Sequence, residues 1–175
     1  NIIIESRGTV EVPFGIMPNS NDPSNEDMTF SAKGNLPSGD GGLIKIVADD
    51  FKIAGGTQFD ASAQDPAATP GTLEIETATV TVVAGASPDD GALDTLYEED
   101  IENLSTSGTS VVVRATGTNT GVTVEDIPDP DNQITGGRGS IEFHATGTGS
   151  SVSFVDIGDS ISTTHGNIAM SAGSG

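Results

Sequence analysis

The sequence predicts an all-β chain: a right-handed parallel β-helix, built as a triangular solenoid of three short strands per coil and about six coils. Three observations carry this expectation. A strand of the form apolar-x-apolar-x-small recurs six times along 175 residues. A 30-residue repeat is legible between Ser110–Ile127 and Ser140–Ile157, where eight of eighteen positions are identical. Large side chains are scarce, with aromatics at 4% and no Trp, too few for an ordinary globule but enough for a thin core filled layer by layer.

The first strand of each coil reads Ile2, Ile4, Ser6; Ile44, Ile46, Ala48; Leu73, Ile75, Thr77; Val111, Val113, Ala115; Ile141, Phe143, Ala145; and Ile168, Met170, Ala172. Alternation at period two places each trio on one face of a strand. The small third residue suits a bend where the interior narrows. A second strand follows, with the inward pairs Val10 and Val12, Phe51 and Ile53, Val80 and Val82, Val122 and Val124, and Val152 and Phe154. A third strand is expected before the next coil. Leu104, Ile134 and Ile161 stand seven residues before Val111, Ile141 and Ile168, and Phe30 and Phe59 stand fourteen before Ile44 and Leu73. In such a solenoid each parallel crossover is the remainder of one coil, and its hand is expected to be right.

The whole of 1–175 reads as one β-helix segment, expected to be a fragment of a longer solenoid. Two insertions interrupt it. Residues 13–27 are rich in Pro and Asn and read as a polar loop. Residues 88–103 read as a short amphipathic helix, capped by Asp89 or Asp90, with Leu93, Leu96, Tyr97 and Ile101 on one face.

The segment Gly41–Ala63, GGLIKIVADDFKIAGGTQFDASA, resembles a coil of the filamentous-haemagglutinin-type exoproteins of two-partner secretion and of large bacterial β-helical adhesins. GSIEFHATGTG and GNIAMSAGSG, nearer the end, are similar in style. The resemblance implies an extracellular or cell-surface location and a structural or adhesive role. It supplies no catalytic motif.

Charge narrows the function classes. Against 26 Asp and Glu stand 6 Lys and Arg, a formal charge of −20. Such a surface disfavours nucleic acid and anionic membranes and favours solubility and cations. No apolar run approaches the ~18 residues of a membrane span. Without Cys there is no disulfide framework and no thiolate metal site. The acidic corners offer oxygen ligands for Ca²⁺, with Asp89, Asp90, Asp129 and Asp131 as candidates, although no EF-hand loop or glycine-aspartate nonapeptide is present. Outward residues are expected to stack in charged columns, Lys45 beside Glu74, and Glu76 beside Arg114 and His144. Catalysis finds little support: the two histidines stand apart, and no Gly-x-Ser-x-Gly or His-Glu-x-x-His occurs.

The expected function is therefore a rod that presents loops, with neighbouring coils or subunits stacked on its ends. A carbohydrate- or receptor-binding module, with the loop at 13–27 and the acidic helix at 88–103 as its contact surfaces, is the alternative, and a polysaccharide-active enzyme the least favoured reading. No cofactor beyond Ca²⁺ is expected.

Overall fold

The computed structural model describes residues 1–12, 29–34, 39–128 and 132–173. The insertion at 13–27, together with Asp129 and Asp131, lies outside the described residues. In chain order the elements begin with β1 (Ile2–Glu5), β2 (Thr9–Val12), β3 (Thr29–Ser31), β4 (Leu43–Val47), β5 (Asp50–Ile53) and β6 (Gln58–Asp60). Next come β7 (Gly71–Thr77), β8 (Val80–Val83), β9 (Thr95–Tyr97) and the helix α1 (Glu98–Ser107). The chain continues with β10 (Thr109–Ala115), β11 (Gly121–Val124), β12 (Gln133–Gly136), β13 (Ile141–Ala145), β14 (Ser151–Phe154), β15 (Ser160–Thr163) and β16 (Ile168–Ala172). No helix among the described residues is long and apolar enough to cross a membrane.

The fold is all-β and solenoid-like. Its largest sheet has six strands in the order β1-β4-β7-β10-β13-β16, every pair parallel. Register follows the apolar pattern. Ile2, Ile44, Leu73, Val111, Ile141 and Ile168 align as one column, and Ile4, Ile46, Ile75, Val113, Phe143 and Met170 as the next. A slip of one residue would turn both columns outward, so burial itself fixes the pairing. Thr77, Ala115 and Ala145, the small third residues, are buried at the bend.

The second strands also stack in register. Val10 pairs with Phe51 and Val12 with Ile53; Val80, Val122 and Val152 align, as do Val82, Val124 and Phe154. The third strands form two short pairs, β3 with β6 and β12 with β15. Phe30 and Phe59 stack ring on ring, centroids 5.3 Å apart and 14° from parallel. The inward residues of all three sets meet in one core cluster, except Ile168 and Met170 on the last strand, which are exposed. Each Ile, Leu or Phe buried there contributes about 1.5–3 kcal/mol.

Hydrogen bonds continue the stacking beyond the strand ends. The amide of Ala48 donates to Glu76 O at 3.0 Å, Thr116 to Thr77 O at 2.8 Å, and Thr146 to Ala115 O at 2.8 Å. Turns therefore pack backbone on backbone. A Cβ on Gly147 would stand 2.1 Å from Gly117 O, and one on Gly166 would stand 2.2 Å from Gly139 O. Only glycine fits that spacing.

The insertion departs from the sequence expectation in two ways. First, the helix begins at Glu98, with Tyr97 as its N-cap residue, and ends at Gly108. Asp89 and Asp90 do not cap it. Leu93, Leu96 and Tyr97 precede it, and Leu93 is exposed. The acidic first turn, Glu98, Glu99 and Asp100, suits the positive end of the helix dipole. Gly108, at φ 91°, takes the left-handed conformation that closes the last turn. Second, Thr95–Tyr97 is a strand that adds to the edge of β8. It wedges beside β5 through Asp94. The Asp94 amide donates to Phe51 O at 2.8 Å, and Thr81 N donates to Asp94 O at 2.9 Å. Phe51 N donates back to the Asp94 carboxylate at 3.0 Å.

Leu104 keeps its seven-residue spacing from Val111 but lies in α1, not in a third strand. The helix takes the place beside β12. Its Glu102 carboxylate accepts the Thr135 amide on that strand edge. Buried Ser105 donates to Gly139 O at 2.6 Å and accepts from Gly137 N at 3.0 Å. Arg138 reaches back past Gly108 to the carbonyls of Asp65 and Ala68.

Candidate functional site

The calcium candidates do not assemble. Asp89 and Asp90 are exposed on a turn, and among the described residues no group of three or more His, Asp or Glu is placed to hold a metal ion. Asp129 and Asp131 lie outside the described residues.

The outward columns carry the expected charges, with one change of partner. Lys45 is in register with Glu74 and bonds it at 3.2 Å. Arg114 is in register with Glu76, yet its Nε turns to Glu74 at 2.9 Å while Lys45 also takes Glu76 at 2.9 Å. Residues two apart on a strand share a face, so long cationic side chains reach diagonal partners as easily as direct ones. Burial pushes the Glu74 carboxyl up, but hydrogen bonds from Arg114 and Lys45 outweigh it and hold the carboxyl below its ordinary range. His144 continues the column, bonded to Ser171 at 2.8 Å and Glu142 at 3.1 Å. These partly exposed pairs contribute at most about 1 kcal/mol each, and they leave no open chemistry.

The feature with room for a ligand is a cleft of about 490 Å³ beside α1. Its origin is topological. The third-strand layer runs β3, β6, then α1, β12 and β15, and the helix sits against β12 rather than β6. A gap opens between β6 and the helix; the core residues Leu73, Ile75 and Val111 lie beneath it, each at most 2% exposed. The helix turns Asp100, Asn103, Leu104 and Ser107, one face at helical spacing, toward the gap. The opposite wall holds Thr57, Gln58 and Phe59, and Tyr97 closes one side.

Several polar groups in and around the cleft sit in unusual surroundings. Asp100 accepts the Ser87 amide at 3.2 Å. Burial pushes its carboxyl up, and the charge of Glu99 adds to the shift. None of the ion pairs among the described residues includes it. Burial raises the Tyr97 phenol, helped by the charges of Asp90 and Asp100. The Thr57 hydroxyl is buried with no hydrogen-bond partner among the described residues. At the rim, Lys33 pairs with Asp60 at 2.9 Å. Behind α1, buried Glu98 accepts the Gly85 amide at 3.1 Å, and burial raises its carboxyl too.

Sequence reasoning reached 88–103 as a contact surface of the binding-module alternative, but none of these residues individually. Asp100, Tyr97 and Thr57 are unremarkable in sequence, and the gap exists because a strand is missing from a stack, which no local pattern records. No family model matches this chain, and no curated protein and no solved structure matches it.

Proposed function

We propose that this chain is a stretch of right-handed parallel β-helix of about six coils, three-stranded in plan with α1 replacing the third strand of one coil, from an extracellular bacterial surface or secreted protein of the filamentous-haemagglutinin type. Its role is structural or adhesive: a rigid acidic rod that carries its insertions at a distance from the cell. The observation that carries this reading is the unbroken pairing of each strand with the strand one repeat later, along six parallel strands. Parallel crossovers of this kind are right-handed almost without exception. The acidic surface keeps such a rod soluble and favours cations over nucleic acid. A scaffold rather than a catalyst also accords with the histidines, since His144 is held by Ser171 and Glu142, and His165 contacts Thr164.

A second reading, a carbohydrate- or receptor-binding module, is favoured by the cleft beside α1. Glycan arrays run with and without Ca²⁺ separate the two. A bare scaffold retains no glycan under either condition, and selective retention supports a glycan-binding module. Turnover of any polysaccharide by the chain would contradict both.

A further inference from the structure

The geometry points to β-strand addition at β6: the cleft beside α1 takes an extended peptide segment of a partner protein, one with an apolar side chain next to a Lys or Arg. This deepens the receptor-binding reading and rests on it.

The edge comes first. In a parallel ladder alternate residues direct both backbone groups to one neighbour. Ala32 N donates to Asp60 O at 2.8 Å, within the register Ser31 to Asp60. Asp60 and Gln58 therefore face β3, and Phe59 directs its N–H and C=O the other way, toward the cleft. No strand pairs with β6 on that side among the described residues. An extended segment laid there would use the Phe59 groups as every other stacked strand in this chain uses its neighbour's.

Size and lining come next. The pairs on this layer are short, three residues in β3 and β6, and 490 Å³ is the volume of an ordinary ligand site rather than a packing flaw. Alternate residues of an added strand point to opposite faces. One inward side chain would continue the Phe30–Phe59 stack and pack beside Leu104. That requires it to be aromatic or aliphatic.

Charge selects the neighbour. Asp100 stands on the wall across from β6, partly desolvated and, among the described residues, without a cation. A Lys or Arg one or two residues along the peptide would supply it. The net charge of −20 steers basic segments toward this surface.

The test uses the full chain, isotope-labelled, against a randomised library of capped peptides of about five residues. The expected result is selection of an aromatic or aliphatic residue next to Lys or Arg. Bound peptide should slow exchange of the Phe59 amide, and Asp100→Asn should weaken Lys and Arg peptides by about tenfold or more. Asn103→Trp, which fills the gap from the exposed helix, should abolish binding while leaving the circular dichroism unchanged. Peptides that bind without protecting Phe59 overturn the proposal. So does a chain that binds dodecylamine but no peptide, which makes the cleft an amphiphile site. Retention of a glycan with no peptide selected keeps the binding module and sinks the peptide. A chain that binds none of these probes loses both.

Discussion

Ile127 and Ile157 occupy the same position of the 30-residue repeat, yet Ile127 is 2% exposed and Ile157 is fully exposed. The difference is local conformation: Ile157 lies in the turn at 156–159 and points to solvent, whereas Ile127 packs into the core. Ile127 is followed one repeat later by the turn at 156–159, where the Asp159 carboxylate accepts the Ile127 amide at 3.3 Å. No described residue plays that part for Ile157. A place in the repeat does not by itself fix burial; the return turn that follows decides it.

Substitution of the two should therefore separate sharply. Ile127→Ala is expected to lose about 2–4 kcal/mol, a transfer loss plus a cavity. Ile157→Ala should stay within about 0.5 kcal/mol of the parent. Urea unfolding of both variants decides it; comparable losses would mean that Ile127 is not the core residue its burial makes it.

Gly147→Ala should be among the most damaging single changes. Its Cβ would sit 2.1 Å from Gly117 O, and that contact is backbone, with no flexible side chain to yield. A loss of about 3 kcal/mol or more is expected, against near-neutrality for Gly8→Ala, where a Cβ meets nothing within 4 Å. Thermal unfolding of the pair gives the comparison.

Ser105→Ala should unseat the helix without dismantling the stack. The hydroxyl bonds both Gly137 and Gly139 in a fully buried position, so its removal should cost about 1–3 kcal/mol. Amide exchange should quicken in 98–107 and 133–136 and stay unchanged in Ile44–Ile46. Uniform loosening would contradict a locally docked helix.

The insertion and the charged column should respond to acid with opposite signs. Burial raises the carboxyls of Asp94, Glu98 and Asp100 above their unfolded values. Groups shifted this way stabilise the fold fully below the unfolded carboxylate pKa, about 4, and that contribution is lost as pH rises through the folded pKa. Glu74 and Asp60 are lowered on balance: burial pushes both up, and their hydrogen bonds outweigh it. Their contribution is present above about pH 4 and is lost as pH falls through the folded pKa. Lowering pH from neutral toward about 5 should therefore tighten 88–107 before the column weakens. Tyr97 is the only Tyr and there is no Trp, so intrinsic emission reports this segment alone. Looser packing around Tyr97 in mild acid would reverse the assigned signs.

Much of the stack was legible because a strand pattern is local. The inward trios, the second-strand pairs and the Phe30–Phe59 and Ile134–Ile161 partners follow from period two and from preserved spacing. The helix was legible in existence and misplaced in position. Leu93, Leu96, Tyr97 and Ile101 fit a helical face, but Thr-Leu-Tyr is a β-prone run that gains more by pairing with β8. The better signals were Gly108 just after the helix and the acidic run at its start. Leu104 kept the spacing of a third strand while belonging to a helix, since distance along the chain does not specify the element that spans it. The cleft follows from that substitution, and its polar residues acquire meaning only once β6 and α1 are seen to stand apart.

The central claim is that successive coils stack strand on strand in register, interrupted only where β9 and α1 enter the third coil. The chain has no Cys, so paired cysteines read this directly. Thr123 and Ser153 are register partners on adjacent strands, and Thr81 lies one further strand along, opposite Thr123. Neighbouring strands stand about 4.8 Å apart and alternate ones about twice that, beyond the roughly 7 Å that a disulfide spans. Under mild oxidation Thr123→Cys with Ser153→Cys should close to a single bridge, and Thr81→Cys with Ser153→Cys should remain reduced. A reduced adjacent pair, or closure of the distant one, would contradict the stack.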